Sequence, residues 1–226
     1  MQDGVSRVGS WIRRGGRRLL QSRWSPLHTL VRVQAVDRAV ALTFDDGPDP
    51  DHTPRLLDVL DHAGARATFF MVGAAARRHP ELVRDVAAGG HCVANHTDSH
   101  PSLPGLPGPE RRGEIRRGAK ALAPHGSRLF RPPKGHQSVA SRLDVLWCGH
   151  RAVAWSASVQ DWEDRTTDEL VEGLTEQLAP GEIVLLHDAL WDPASPAIAD
   201  RSAVVEAVRI VLDRCVTTEE GCLANG

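Results

Sequence analysis

From Ala39 onward, short apolar runs alternate with amphipathic stretches roughly every 25 residues. Strand followed by helix, repeated at this interval, is the rhythm of βαβ units and commits the chain to a parallel sheet covered by helices. Ala39–Phe44, Ala67–Val72, Cys92–Asn95, Leu129–Phe130, Ala152–Trp155 and Glu182–Leu186 predict six strands. These runs are nearly unbroken in apolar character, as strands buried on both faces require. The first helix is predicted to start at Thr53 as N-cap, with Pro54 in its first turn, and to stop at Gly64. Further helices are predicted over Pro80–Ala88, Pro109–Ala123, Val139–Trp147, Thr167–Leu178 and Ser202–Leu212. Pro101–Pro109 holds four Pro and two Gly and reads as a loop. This pattern alone fits an open doubly wound sheet and a closed barrel equally.

At 226 residues the chain has room for one domain and a short appendage. Residues 1–38 carry eight Arg against two Asp, so they read as a basic arm. Residues 39–226 hold 19 basic and 27 acidic side chains, and a globule with that excess of acid is a poor generic binder of nucleic acid. No run of 18 apolar residues is present to span a membrane. In the arm, Arg13, Arg14, Arg17 and Arg18 are followed only by Leu19 and Leu20 before Gln21, so a secretory h-region is missing. That points to a cytoplasmic protein, or to an exported one if the start is misplaced. Ser10–Trp24 fits either a solvated arm or a stretch lying on an anionic membrane surface. None of the four Cys forms a CxxC pair. Cys92 and Cys148 read as small core residues; Cys215 and Cys222 are near enough in sequence to bridge in an exported protein.

The polar clusters fall at one place in the rhythm. Asp45-Asp46, His96 with His100, Arg131–Gly135, Asp161-Trp162 and His187-Asp188 each follow a predicted strand. In parallel α/β folds the βα loops open at that edge, and sites are built there. His96 and His100, spaced i,i+4, would share one side of a helical turn. With Asp46 they would make a two-His, one-carboxylate set with positions left open for water and substrate. Asp45, beside that ligand, is then available as a general base.

Thr43-Phe44-Asp45-Asp46-Gly47-Pro48 resembles the first motif of the polysaccharide deacetylases, the NodB-type family also called carbohydrate esterase family 4. His96-Thr97-Asp98-Ser99-His100 resembles the second, Arg131–Gly135 the third, Asp161-Trp162 part of the fourth, and Leu185-Leu186-His187 the fifth. The order fits, and the resemblance runs from about Ala39 to about Leu212. It implies an α/β fold, a distorted and incomplete (β/α) barrel, for residues 39–226. It implies Asp45 as general base and Asp46, His96 and His100 as ligands of a divalent metal, commonly zinc. Arg131 would hold Asp45, and the backbone N–H of Lys134 would face the oxyanion. His187 would be the general acid, oriented by Asp161, with Trp162 and Leu185 around the acetyl methyl. Two positions depart from the pattern: Ser158 stands where an aspartate is usual, and Lys134 where an aromatic is frequent.

The expected activity is hydrolysis of the acetamide of an N-acetylated sugar, with acetate released. The lean chain also fits deacylation of a small glycoside or biosynthetic intermediate, and Ser158 is the one feature in favour of a non-catalytic glycan-binding homologue.

Overall fold

The computed structural model describes residues 28–33 and 39–223, the side chains of 216–223 excepted. Seven strands form one parallel sheet among these residues: β1 Ala41–Asp45, β2 Thr68–Met71, β3 Cys92–Asn95, β4 Gly126–Phe130, β5 Arg151–Ala152, β6 Ala157–Ser158 and β7 Ile183–His187. Their order across the sheet is β5-β4-β3-β2-β1-β7-β6. The helices are α1 Thr53–His62, α2 Gly73–Arg78, α3 Pro80–Ala88, α4 Gly108–Ala121, α5 Val139–Trp147, α6 Thr167–Gln177, α7 Pro196–Ala199 and α8 Ser202–Leu223. The sheet curls into an incomplete (β/α) barrel. None of the described helices is long and apolar enough to cross a membrane.

Side-chain alternation builds two cores from the same strands. Phe44, Phe69, Met71, Val93, Val184 and Leu186 point outward, against Leu56 and Leu60 of α1, Val83 and Val86 of α3 and the α8 face of Val204, Val205 and Val208. Phe70, Ala94, Val153 and Ile183 point inward and pack with Leu30, Val33, Ala41 and Trp155. Asp45 and His187 are paired across β1 and β7, at the same height as Phe70 of β2. The apolar interior thus floors the site.

The two outer strands, β5 and β6, belong to one stretch of chain. Ala152 pairs with Phe130 on one side, and Ala157 pairs with Val184 on the other. Only Val153–Ser156 lies between. Residues 28–33 fill the gap below: the Leu30 N–H bonds to the Ala152 carbonyl, the Ala154 N–H to the Leu30 carbonyl, and the Val33 N–H to the Gly181 carbonyl. These six residues were assigned to the basic arm by charge, yet Thr29 is buried and Leu30 and Val33 pack on the interior. The folded unit therefore includes residues before Ala39. Arg32 itself pairs with Glu182, so part of the arm's basic count belongs to the fold. Residues 10–24 lie outside the described set.

Other expectations shift locally. Thr53 is the first helical residue, and His52 occupies the cap. The Thr53 hydroxyl is instead engaged across the fold, accepting the Asp49 N–H at 2.8 Å and donating to Asp188 Oδ2 at 2.5 Å. β6 and the short helices α2 and α7 were not predicted, and α8 continues beyond Leu212. The fifth strand is Arg151–Ala152, because Val153 onward leaves the ladder to cross toward β6. Cys92 and Cys148 are half-buried at the margins of the core. The Cys222 side chain lies outside the described residues.

Candidate active site

Each functional segment begins where a strand ends. Asp46 follows β1 in a left-handed conformation, φ 74°, which swings its carboxylate away from that of Asp45. Gly47 comes next because there is no room for more. A Cβ there would collide with the buried carboxylate of Asp188. Burial pushes the Asp188 carboxyl up to about 7, even with the Thr53 hydroxyl on its Oδ2.

His96 and His100 are on a loop after β3, not on a helical turn. Thr97 at φ 72° and His100 at φ 58° turn the backbone left-handed, and the Thr97 hydroxyl accepts the His100 N–H at 3.0 Å. The imidazole centroids lie 5.0 Å apart. The i,i+4 spacing thus brings the rings together by a compact loop, which Asn95 secures. Its Oδ1 accepts the Thr97 N–H at 2.9 Å, and its Nδ2 donates to the Ile115 carbonyl of α4 at 2.8 Å.

The three expected ligands converge. Asp46 Oδ1 is 3.3 Å from His96 Nε2 and 3.1 Å from His100 Nε2. Ligand atoms from all three residues lie within 4.8 Å of one another. His96 Nδ1 is 2.7 Å from the Arg131 carbonyl, which only accepts, so Nδ1 carries a proton and Nε2 is the atom that points toward Asp46. Asp46 Oδ1 is buried without a hydrogen-bond partner, while Oδ2 accepts the Trp191 N–H at 3.0 Å. A buried carboxylate oxygen without a hydrogen-bond partner, met by two imidazole nitrogens, is a donor set that fits a cation. One carboxylate and two imidazoles suit zinc and its neighbours in the first transition row. Burial alone would raise the Asp46 carboxyl, but His100 and His96 hold it well below the usual carboxylate range.

Asp45 stands behind this group, its Oδ2 3.7 Å from His96 Nε2. Arg131, fully buried, donates from Nη1 to Asp45 Oδ1 at 2.6 Å and to the Thr43 hydroxyl at 2.8 Å. Its Nη2 donates to the Ala154 carbonyl at 3.1 Å. The guanidinium lies 4.1 Å from the Phe70 ring centroid and 5.9 Å from that of Trp155. Burial pulls the Arg131 pKa down, and the Asp45 carboxylate opposes that pull. A fixed buried cation of this kind orients one carboxylate oxygen and leaves the other free.

His187, at the end of β7, stands beside Asp45 on the neighbouring strand and lines the same cleft. Its Nδ1 is 3.0 Å from Asp161 Oδ1, and its backbone N–H donates to Asp161 Oδ2 at 2.8 Å. Burial lowers the imidazole pKa, but Asp161 outweighs it, with Asp46 and Asp45 adding to the effect, and the result is a value of about 9. Trp162 meets the ring edge-on, its centroid 5.7 Å away.

Asp45, Asp46, His96, His100, Lys134, Trp162, Leu185 and His187 all line one cleft of about 480 Å³. Arg131 and Asp161 lie buried behind its wall. Lys134 is exposed at φ 58°. The Ser158 N–H and carbonyl are both held by the Gln177 side chain of α6. Arg131 keeps Asp45, Thr43 and Ala154, while its buried Nε has no hydrogen-bond partner.

Sequence reading missed several participants. Arg201, buried at the head of α8, donates to Asp161 Oδ2 at 2.9 Å and from Nη1 to the Ile198 carbonyl at 2.7 Å. Trp155 lines the cleft opposite Gly135, and Leu190 and Trp191 supply another wall. Trp191 lies under Arg78 at 5.5 Å and gives its backbone N–H to Asp46. Aromatics near strand ends were the only signal for Trp155 and Trp191, and nothing local marked Arg201.

A family model for polysaccharide deacetylases matches residues 32–153, more than half of the chain. The chain belongs to the polysaccharide deacetylase family. Among curated members of this family, a chitooligosaccharide deacetylase of Sinorhizobium fredii is 40% identical over 166 residues, 72% of this chain and 77% of that one. A peptidoglycan-N-acetylglucosamine deacetylase of Bacillus cereus is 34% identical over 188 residues, 81% of this chain and 88% of that one. Among solved polysaccharide deacetylase structures, a family 4 carbohydrate esterase from Streptomyces lividans in complex with acetate superposes with a TM-score of 0.68 at 35% identity, covering 79% of this chain and 90% of that one. A peptidoglycan N-acetylglucosamine deacetylase in complex with 4-naphthalen-1-yl-N-oxidanyl-benzamide superposes with a TM-score of 0.76 at 28% identity, covering 84% and 87%. The match to the deacetylase model begins at Arg32, inside the segment that closes the barrel.

Proposed function

We propose that the protein is a divalent-metal-dependent N-deacetylase that hydrolyses the acetamide of N-acetylglucosamine residues in a glycan or oligosaccharide and releases acetate. One observation carries the reading: a carboxylate fixed by a buried arginine and an imidazole fixed by a buried carboxylate stand on neighbouring strands in one cleft that also holds Asp46, His96 and His100.

Asp46, His96 and His100 would hold the cation, with zinc the ion this donor set favours. Such an ion, when bound, supplies a lowered pKa to water and polarises the amide oxygen. Asp45 Oδ2, the oxygen not taken by Arg131 Nη1, accepts a proton from the attacking water as its oxygen adds to the amide carbon. The backbone N–H of Lys134 donates to the oxyanion of the tetrahedral adduct. His187 then gives its proton to the departing nitrogen, the C–N bond breaks, and the free amine and acetate remain. Asp161 keeps the imidazole protonated and turned toward the cleft. Trp162 and Leu185 enclose the acetyl methyl and exclude bulkier acyl groups.

The test is acetate release from N-acetylglucosamine oligomers and from peptidoglycan fragments, with the protein stripped of metal and then reloaded with Zn²⁺. Activity should vanish and return. Asp45→Asn and His187→Ala should each lower kcat by about 10²–10⁴-fold with the fold retained. Full activity in both variants would remove the assignment.

A further inference from the structure

We infer that the exposed face of α5 docks the protein onto an anionic phospholipid bilayer. α5 buries Ser141, Asp144 and Val145 toward the body of the protein. Its outer side is also apolar: Val139 is 58% exposed, Leu143 50%, Leu146 42% and Trp147 77%. Positions 139, 143, 146 and 147 are spaced i, i+4, i+7 and i+8, so they form one stripe. The other large apolar side chain as exposed among the described residues is Trp162, inside the cleft. Scattered apolar residues on a surface need no explanation, but a continuous stripe ending in a tryptophan does.

The charge around the stripe indicates its partner. Residues 108–151 hold ten basic and three acidic side chains, of which Arg131 and Lys134 belong to the catalytic cleft, while the rest of 39–226 holds nine basic and 24 acidic. Arg112 of α4 borders the same hollow as Leu143, Leu146 and Trp147. Arg116 is exposed and acts on Cys148, directly after Trp147. Arg128, whose backbone bonds to His150, and Arg151, next to His150 in sequence, are exposed just past the C-terminal end of the helix. Asp144 is the nearby carboxylate, and it already holds Arg111 and Arg112.

Basic residues ringing an apolar stripe with a terminal Trp match the two layers of an anionic membrane surface, headgroups outside and acyl chains within. A soluble anionic polymer would satisfy the arginines and leave Val139, Leu143 and Leu146 in water. None of the four stripe residues lines the catalytic cleft, so docking leaves that cleft open.

The full chain is sedimented with vesicles of mixed phosphatidylglycerol and phosphatidylcholine and with vesicles of phosphatidylcholine alone. Binding is expected to the mixed vesicles only, and to weaken with salt. The double variant Leu143→Ser/Trp147→Ser should lose at least about tenfold in affinity, with an unchanged melting temperature and unchanged acetate release from soluble oligosaccharide. A second variant, with Arg13, Arg14, Arg17 and Arg18 replaced by Ser, separates the basic arm from the stripe and should still depend on Leu143 and Trp147. Absence of binding, or binding that ignores the stripe variant and disappears with the arm variant, overturns the inference. So does a dimer without lipid that the stripe variant converts to monomer, because the face would then join two copies of the chain.

Discussion

Asp161 spends both carboxylate oxygens on one neighbour and still has an arginine behind it. Oδ1 meets the His187 ring, and Oδ2 takes the His187 N–H and an N–H of Arg201. This carboxylate is the main reason that His187 titrates at about 9 despite its burial. A bound cation offsets the contributions of Asp46 and Asp45 but leaves that of Asp161. In the proposed mechanism the acid form of His187 is the active one, so the rate should fall as pH rises through its pKa. Asp161→Asn should move that alkaline limb down by about 1–2 pH units and lower kcat by about tenfold or more, read from a pH–rate profile. The sign for stability runs the same way. A histidine whose folded pKa lies above its unfolded value stabilises the fold fully below about 6.5, and that stabilisation is lost as pH rises toward about 9. Arg131 and Asp161 were legible in the sequence because Pro132, Gly135 and Trp162 mark their loops. Arg201 was not. An arginine heading a helix carries no local mark, and its partners come from segments about 14 and 40 residues away.

At the scale of elements, the βα loops carry strain that the rest of the chain avoids. Among the described residues, the non-glycine positions with positive φ are Asp46, Thr97, His100, Lys134 and Gln160, and each follows a strand on the cleft side of the sheet. Each such residue costs roughly 1–2 kcal/mol, and a site is where a fold tolerates that cost. Tight neighbours hold the conformations in place. A Cβ on Gly118 of α4 would meet the Thr97 carbonyl oxygen at 2.7 Å and press on the Asn95 side chain. Gly118→Ala should therefore push the loop carrying His96 and His100, destabilise the protein by about 1–3 kcal/mol in a denaturant titration, and weaken Zn²⁺ binding. Sequence pattern found six of the seven strands and placed all five polar clusters at one edge. It gave His96 and His100 the wrong backbone, since spacing alone cannot separate a helical turn from a left-handed loop. It also missed β6, because two residues carry no period, and α2, because GAAARR shows no apolar stripe.

Across the whole molecule, the barrel depends on a segment that composition placed outside it. Leu30 bridges β5, Val33 reaches the start of β7, and both pack with Phe70, Val153 and Ile183. Leu30→Ala should lower the melting temperature by about 3–8 °C, as measured by calorimetry on the full chain. An Arg-rich stretch reads as solvated by its charge, and only tertiary pairing shows that six of its residues are structural. The two outer strands, for their part, are joined by Val153–Ser156 alone. Covalent bonds therefore set the girth of the barrel. A wider guest cannot be admitted by spreading β5 from β6, and the mouth can adjust only by turning side chains and loops at its rim. Selectivity in this scaffold is a matter of furnishing the doorway, and exchanging rim loops should change what enters while the frame keeps its width.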